Sequence, residues 1–124
     1  MIRKIVVLDD DRVTLRMLEE VLSQENVQIF TARDGEEGYK LILKEMPDIV
    51  ISDLLMPKVD GFDLCRKIKK EPQLANTKII IMSAVYKGYY HKNEIRESGA
   101  DDFVLKPIDT DDLKNKVAKF LLES

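Results

Sequence analysis

The chain has 124 residues, 44% hydrophobic and 35% charged, with a net charge of −3, which is the balance of one folded domain over residues 1–124 and does not indicate disorder. That charge leaves no basic face for nucleic acid, and a single cysteine, Cys65, excludes both an internal disulfide framework and a Cys/His metal cluster. No apolar run approaches the ~20 residues that span a bilayer, and Met1-Ile2-Arg3-Lys4 leads through a short apolar run into acids rather than a signal peptide, so a reducing, cytoplasmic setting is expected.

Short apolar, β-rich runs alternate with segments of helical period. Ile5-Val6-Val7-Leu8 reads as a buried strand, and residues 13–22 as a helix with Leu15, Leu18 and Leu22 on one face. Val27-Gln28-Ile29-Phe30 is a second strand. Residues 34–46 form a second helix, with Asp34 as cap and Glu37 three residues on. Residues 48–52 are a third strand, and after the turn Met56-Pro57-Lys58-Val59-Asp60-Gly61 residues 62–69 are helical. Residues 78–82 make the most apolar strand, and 87–98 a weak helix ended by Gly99. Phe103-Val104-Leu105 is the fifth strand. Residues 111–122 close the chain as a helix, with Leu113, Val117, Phe120 and Leu121 on one face.

Five strands alternating with five helices predict a parallel sheet covered by helices on both faces. Ligands of such sheets bind beyond the carboxyl ends of the strands. There the sequence places Asp9, Asp10 and Asp11 after the first strand, Asp53 after the third, Ser83 after the fourth and Lys106 with Pro107 after the fifth. Taken singly, each is an ordinary turn or cap residue. Taken together they are chemically complete. Crowded carboxylates repel unless a cation compensates, and a hard divalent ion such as Mg2+ takes oxygen ligands while keeping sites for phosphate. One carboxylate can then accept a phosphoryl group, with a lysine and a hydroxyl holding its oxygens.

With those segments in place, the chain resembles the receiver domain of bacterial response regulators. The resemblance rests on residues 5–11, on Ile51-Ser52-Asp53-Leu54-Leu55-Met56-Pro57-Lys58-Val59-Asp60-Gly61, on Ile81-Met82-Ser83-Ala84 and on residues 99–107, and it covers essentially the whole chain. It implies a flavodoxin-like, doubly wound (βα)5 fold with strand order 2-1-3-4-5. It implies Asp53 as phosphoacceptor; Asp9, Asp10, Asp53 and the Leu55 backbone carbonyl as Mg2+ ligands; and Ser83 and Lys106 as partners of the phosphoryl group. The Lys106–Pro107 bond becomes a candidate cis peptide.

The implied partners are a histidine kinase or phosphotransfer protein and a downstream target, with no direct contact to nucleic acid or membrane. Dimerisation through the last helix and fifth strand stays open. The implied role is a switch, not a turnover enzyme. Its switch pair is Ser83 and Phe103, and Phe103 lacks the hydroxyl that many relatives carry as Tyr. Leu55 and Val85 flank the acceptor and cannot position an attacking water, which predicts slow self-dephosphorylation. Tyr86, Tyr89 and Tyr90 on a thinly anchored helix suggest a partner surface, and equally a set of rings packed on the sheet. Cys65 reads as core, and the lone His91 as neither phosphodonor nor ligand.

Two rivals remain. Asp9-Asp10-Asp11-Arg12-Val13 also fits haloacid-dehalogenase-like phosphatases, with Asp9 as nucleophile, but that leaves Asp53 and its loop unexplained. A receiver-like interaction domain that is never phosphorylated would have no use for the full acidic and lysine set.

Overall fold

The computed structural model describes residues 1–84 and 89–123, without the side chains of residues 89–92. Along the chain run β1 (Arg3–Leu8), α1 (Arg12–Leu22), β2 (Val27–Ala32), α2 (Gly35–Glu45), β3 (Ile49–Asp53), α3 (Gly61–Lys70), β4 (Lys78–Ser83), α4 (Tyr89–Ser98), β5 (Asp102–Leu105) and α5 (Thr110–Glu123). The five strands pair in parallel in the order β2-β1-β3-β4-β5, as expected. Most boundaries move by one or two residues. β2 runs to Ala32, β3 begins after Asp48, and a short 3-10 turn at Pro72–Leu74 had no signal. Residues 87 and 88 of the expected fourth helix lie outside the described residues.

Period-two alternation explains why the central strands are apolar throughout. Val6, Leu8, Val50, Ile79 and Ile81 point to one face, where α2, α3 and α4 cover them with Ile42, Leu64, Ile68 and Ile95. Ile5, Val7, Ile49, Ile51, Ile80 and Met82 point to the other, against Leu15, Leu18 and Leu22 of α1 and Leu113, Val117 and Phe120 of α5. Leu121 only packs at the margin of that second layer. Each fully buried Ile or Leu contributes about 1.5–3 kcal/mol, so two dry layers hold the sheet rigidly enough to fix what stands at its ends. Among the described residues, no helix is long and apolar enough to cross a membrane.

Candidate functional site

Parallel pairing brings the carboxyl ends of β1, β3, β4 and β5 to one rim, with Asp53 opposite Met82 and Ser83 opposite Leu105. Asp53 is the last residue of β3, and Ser83 the last of β4, one place earlier than expected. Lys106 follows β5, its amide donating to the Ser83 carbonyl at 2.9 Å, and its bond to Pro107 is cis.

The three acids after β1 divide their work. Asp9 is wholly buried; its Oδ1 accepts from the Asp11 amide at 2.9 Å and its Oδ2 from Lys106 Nζ at 2.8 Å. Asp10 is exposed on the rim. Asp11 caps α1, and the Thr14 hydroxyl and then the Val13 amide hold its carboxyl below the usual range.

Lys106 Nζ also stands 3.3 Å from Asp53 Oδ2, so one ammonium bridges two buried carboxylates. Carboxylate oxygens of Asp9, Asp10 and Asp53 lie within 4.8 Å of one another. Burial, and then the charge of Asp9, push the Asp53 carboxyl up; Lys106 opposes both incompletely. For Lys106 burial works against the charge, but its hydrogen bond to Asp9 and the charges of Asp53 and Asp9 win, raising its pKa. Among the described residues the cluster is therefore short of positive charge. Its donors are all carboxylate oxygens, the set a hard divalent cation prefers.

The loop after Asp53 owes its spacing to backbone contacts. Asp60 caps α3 by accepting from the Asp63 amide at 2.9 Å. Gly61 donates to the Leu54 carbonyl at 2.8 Å, and a Cβ at Gly61 would come within 2.8 Å of the Asp53 carbonyl oxygen and 2.9 Å of Leu54 Cα. Only glycine lets the first turn of α3 rest on the strand end that carries Asp53. The loop also leans on α2: Lys58 Nζ lies 3.9 Å from Asp34, and the Gly35 amide points to the Pro57 carbonyl at 3.5 Å. The Leu55 side chain is exposed.

The rim gathers Asp9, Asp10, Asp53, Ser83 and Lys106. Phe103 lies apart on β5, half-buried, with Lys116 of α5 over its ring. Tyr86, Val85 and the side chains of Tyr89, Tyr90 and His91 lie outside the described residues. Cys65 is buried, its thiol pushed up to about 12 by burial, which fits a core role. Sequence reasoning missed Lys116. Its spacing of four from Asp112 signalled a helix pair, but nothing signalled the contact with Phe103. It also missed Arg33, whose guanidinium donates to the Asp10 carbonyl at 3.4 Å.

The family model for the response regulator receiver domain matches residues 5–118. The chain belongs to this family. Response regulator PleD of Caulobacter vibrioides is 37% identical over 106 residues, covering 86% of this chain and 23% of PleD. This receiver domain thus spans under a quarter of that relative, and under half of others (45% and 48%). Among solved structures, the receiver domain of the Francisella response regulator 1452 is 31% identical with a TM-score of 0.85, covering 95% of each chain. The signal receiver domain of a signal transduction histidine kinase from Syntrophus aciditrophicus is 30% identical with a TM-score of 0.88, covering 98% of this chain and 91% of that one.

The chain is therefore a flavodoxin-like phosphoacceptor signalling domain of two-component systems, as its motifs implied. The phosphatase reading gains no support from these relatives. In the fold, Asp9 is buried with both oxygens engaged, a poor setting for a nucleophile.

Proposed function

We propose that Asp53 is the phosphoacceptor and that residues 1–124 act as one receiver unit. The observation that carries this reading is the meeting of Asp53, Lys106, Asp9 and Asp10 at the rim with too little positive charge among them. A carboxylate oxygen of Asp53 attacks the phosphorus of a phosphohistidine on a histidine kinase or phosphotransfer protein. The O–P bond forms, the P–N bond breaks, and the imidazole nitrogen leaves with the electron pair and takes up a proton.

Lys106 exchanges its contact with Asp53 for one with a phosphoryl oxygen, and the Ser83 hydroxyl donates to another. Asp9, Asp10, Asp53 and the Leu55 carbonyl would hold Mg2+, which when bound offsets the charge of the carboxylates and of the phosphoryl oxygens. The pair of half-buried Lys106 with fully buried Asp9 keeps the lysine poised beside the acceptor. The domain signals rather than turns over substrate, and its signal leaves through α4, β5 and α5. Phe103 is the reporter, and Tyr86, Tyr89 and Tyr90 are candidates for the target or for a second copy. An exposed, apolar Leu55 supports slow self-dephosphorylation. Cytoplasmic action follows from the same reading.

Acetyl phosphate labelling with and without Mg2+ tests the proposal. Wild type should take up about one phosphoryl group per chain only with Mg2+, and Asp53→Asn none. Label retained by Asp53→Asn, or a wild type that never labels, would overturn it.

A further inference from the structure

We infer that Lys116 is the positioning residue for Phe103, clamping its backbone and its ring so that any turn of the ring must first break the clamp. The inference rests on the proposed role of Phe103 as reporter and deepens it.

Among the described residues β5 is an edge strand, paired only with β4. Polar groups of an edge strand that point away from the sheet lack a strand partner. Phe103 has such a pair of groups, and side chains serve both. Its amide donates to Asp102 Oδ1 at 2.8 Å, and its carbonyl accepts from Lys116 Nζ at 2.8 Å. The two side chains then pair with each other at 3.7 Å, closing a ring of contacts around one residue. Asp112, one turn back on α5, fixes the same ammonium at 3.1 Å. From there Lys116 Nζ also stands 5.8 Å from the centroid of the Phe103 ring, within cation–π range.

The ring has room to respond. It packs at the margin of the layer that holds Ile81 and Ile95. It also borders two shallow grooves, one towards Ile95 and Ala100 and one towards Pro107 and Lys116. A phenylalanine has no hydroxyl with which to hold either place. A cation over its face does that work, and it favours the position in which the ring faces Lys116.

An i,i+4 pair with Asp112 alone would make Lys116 a plain helix stabiliser, and the experiment separates the two roles. The chain is made with 4-fluorophenylalanine, the Phe103 resonance is assigned with Phe103→Leu, and beryllofluoride with Mg2+ serves as the phosphoryl mimic. In wild type the Phe103 19F signal should move on saturation. In Lys116→Met, which keeps the apolar stem, the signal of the free protein should already lie part-way to that position. By reciprocity, half-saturation should then need about two- to fivefold less beryllium. Lys116→Arg should restore wild-type behaviour, and Asp102→Asn should give a smaller displacement in the same direction.

A Lys116→Met protein with the wild-type signal and the wild-type half-saturation would overturn the clamp. Failure of the Asp53 reading looks different: wild type and Asp53→Asn would then respond alike to beryllofluoride. In that case a free-state Phe103 signal in Lys116→Met that is unchanged from wild type still overturns the clamp.

Discussion

The two ends of the sheet both carry buried or half-buried charge, and they handle it in opposite ways. At the amino end Arg3 pairs with Asp48 at 3.4 Å and Lys4 with Glu45 at 3.2 Å, while Asp48 also accepts from the Lys4 amide at 2.9 Å. Each acid there has a cation of its own, while one Arg3 guanidinium nitrogen is buried without a hydrogen bond among the described residues and Lys78 lies over the Phe120 ring. At the carboxyl end, among the described residues, Lys106 alone faces Asp9 and Asp53, with Asp10 beside them. The surplus acid shows in Asp53, whose carboxyl is pushed up by burial and by Asp9. Charges that match within the chain make a joint. A cluster that does not match is a demand for something from outside, and that difference, more than the number of acids, marks the site.

The largest expected effect tests whether shape as well as charge is committed at the rim. Gly61→Ala puts a methyl group against the Asp53 carbonyl oxygen and Leu54 Cα, and both are backbone that cannot step aside. Denaturant melts should show a loss of about 2–3 kcal/mol. Acetyl phosphate labelling should slow as well, because the strand end itself must move. Wild-type stability together with wild-type labelling would mean that the close approach of α3 does not set the site.

How far this contrast could be read from the residues follows from the range of each interaction. The strands were legible because both sheet faces are buried, so runs such as Ile79-Ile80-Ile81-Met82 are apolar without a break. Asp53, Ser83 and Lys106 were legible because strand ends in a parallel sheet share a rim. The bridge of Lys106 to Asp9 spans 97 positions, and only the register of the whole sheet creates it. The reason for Asp60-Gly61 was equally hidden: the motif could be spotted, but the contact of Gly61 with the Asp53 backbone exists only once α3 docks. Lys116 escaped because its partner Phe103 lies 13 positions away on another element.

A change at the other end should cost less and leave the chemistry alone. Asp48→Ala removes the acceptor of the Lys4 amide and the partner of Arg3. A loss of about 1–2 kcal/mol in denaturant melts is expected. Labelling of the folded protein should match wild type. Impaired labelling in a fully folded Asp48→Ala chain would break the separation of the two ends.

The smallest effect has the opposite sign. A carboxyl whose pKa is raised by folding binds its proton more tightly in the native state than in the unfolded chain. Asp53 therefore costs the fold nothing at pH values acidic enough to protonate it in both states. It destabilises the fold as pH climbs through the unfolded value and then the raised native one. Asp53→Asn removes that penalty, so without divalent cations it should be more stable than wild type near neutral pH, and the difference should vanish on acidification. Adding MgCl2 should reverse the order, because a cation that binds only the native cluster stabilises wild type by mass action and has lost a ligand in the variant. Paired melts across pH, each with and without Mg2+, measure both signs at once. If Asp53→Asn were the less stable protein in metal-free buffer at neutral pH, the Lys106 contact would outweigh burial and Asp9, and the rim would be a matched joint like the base.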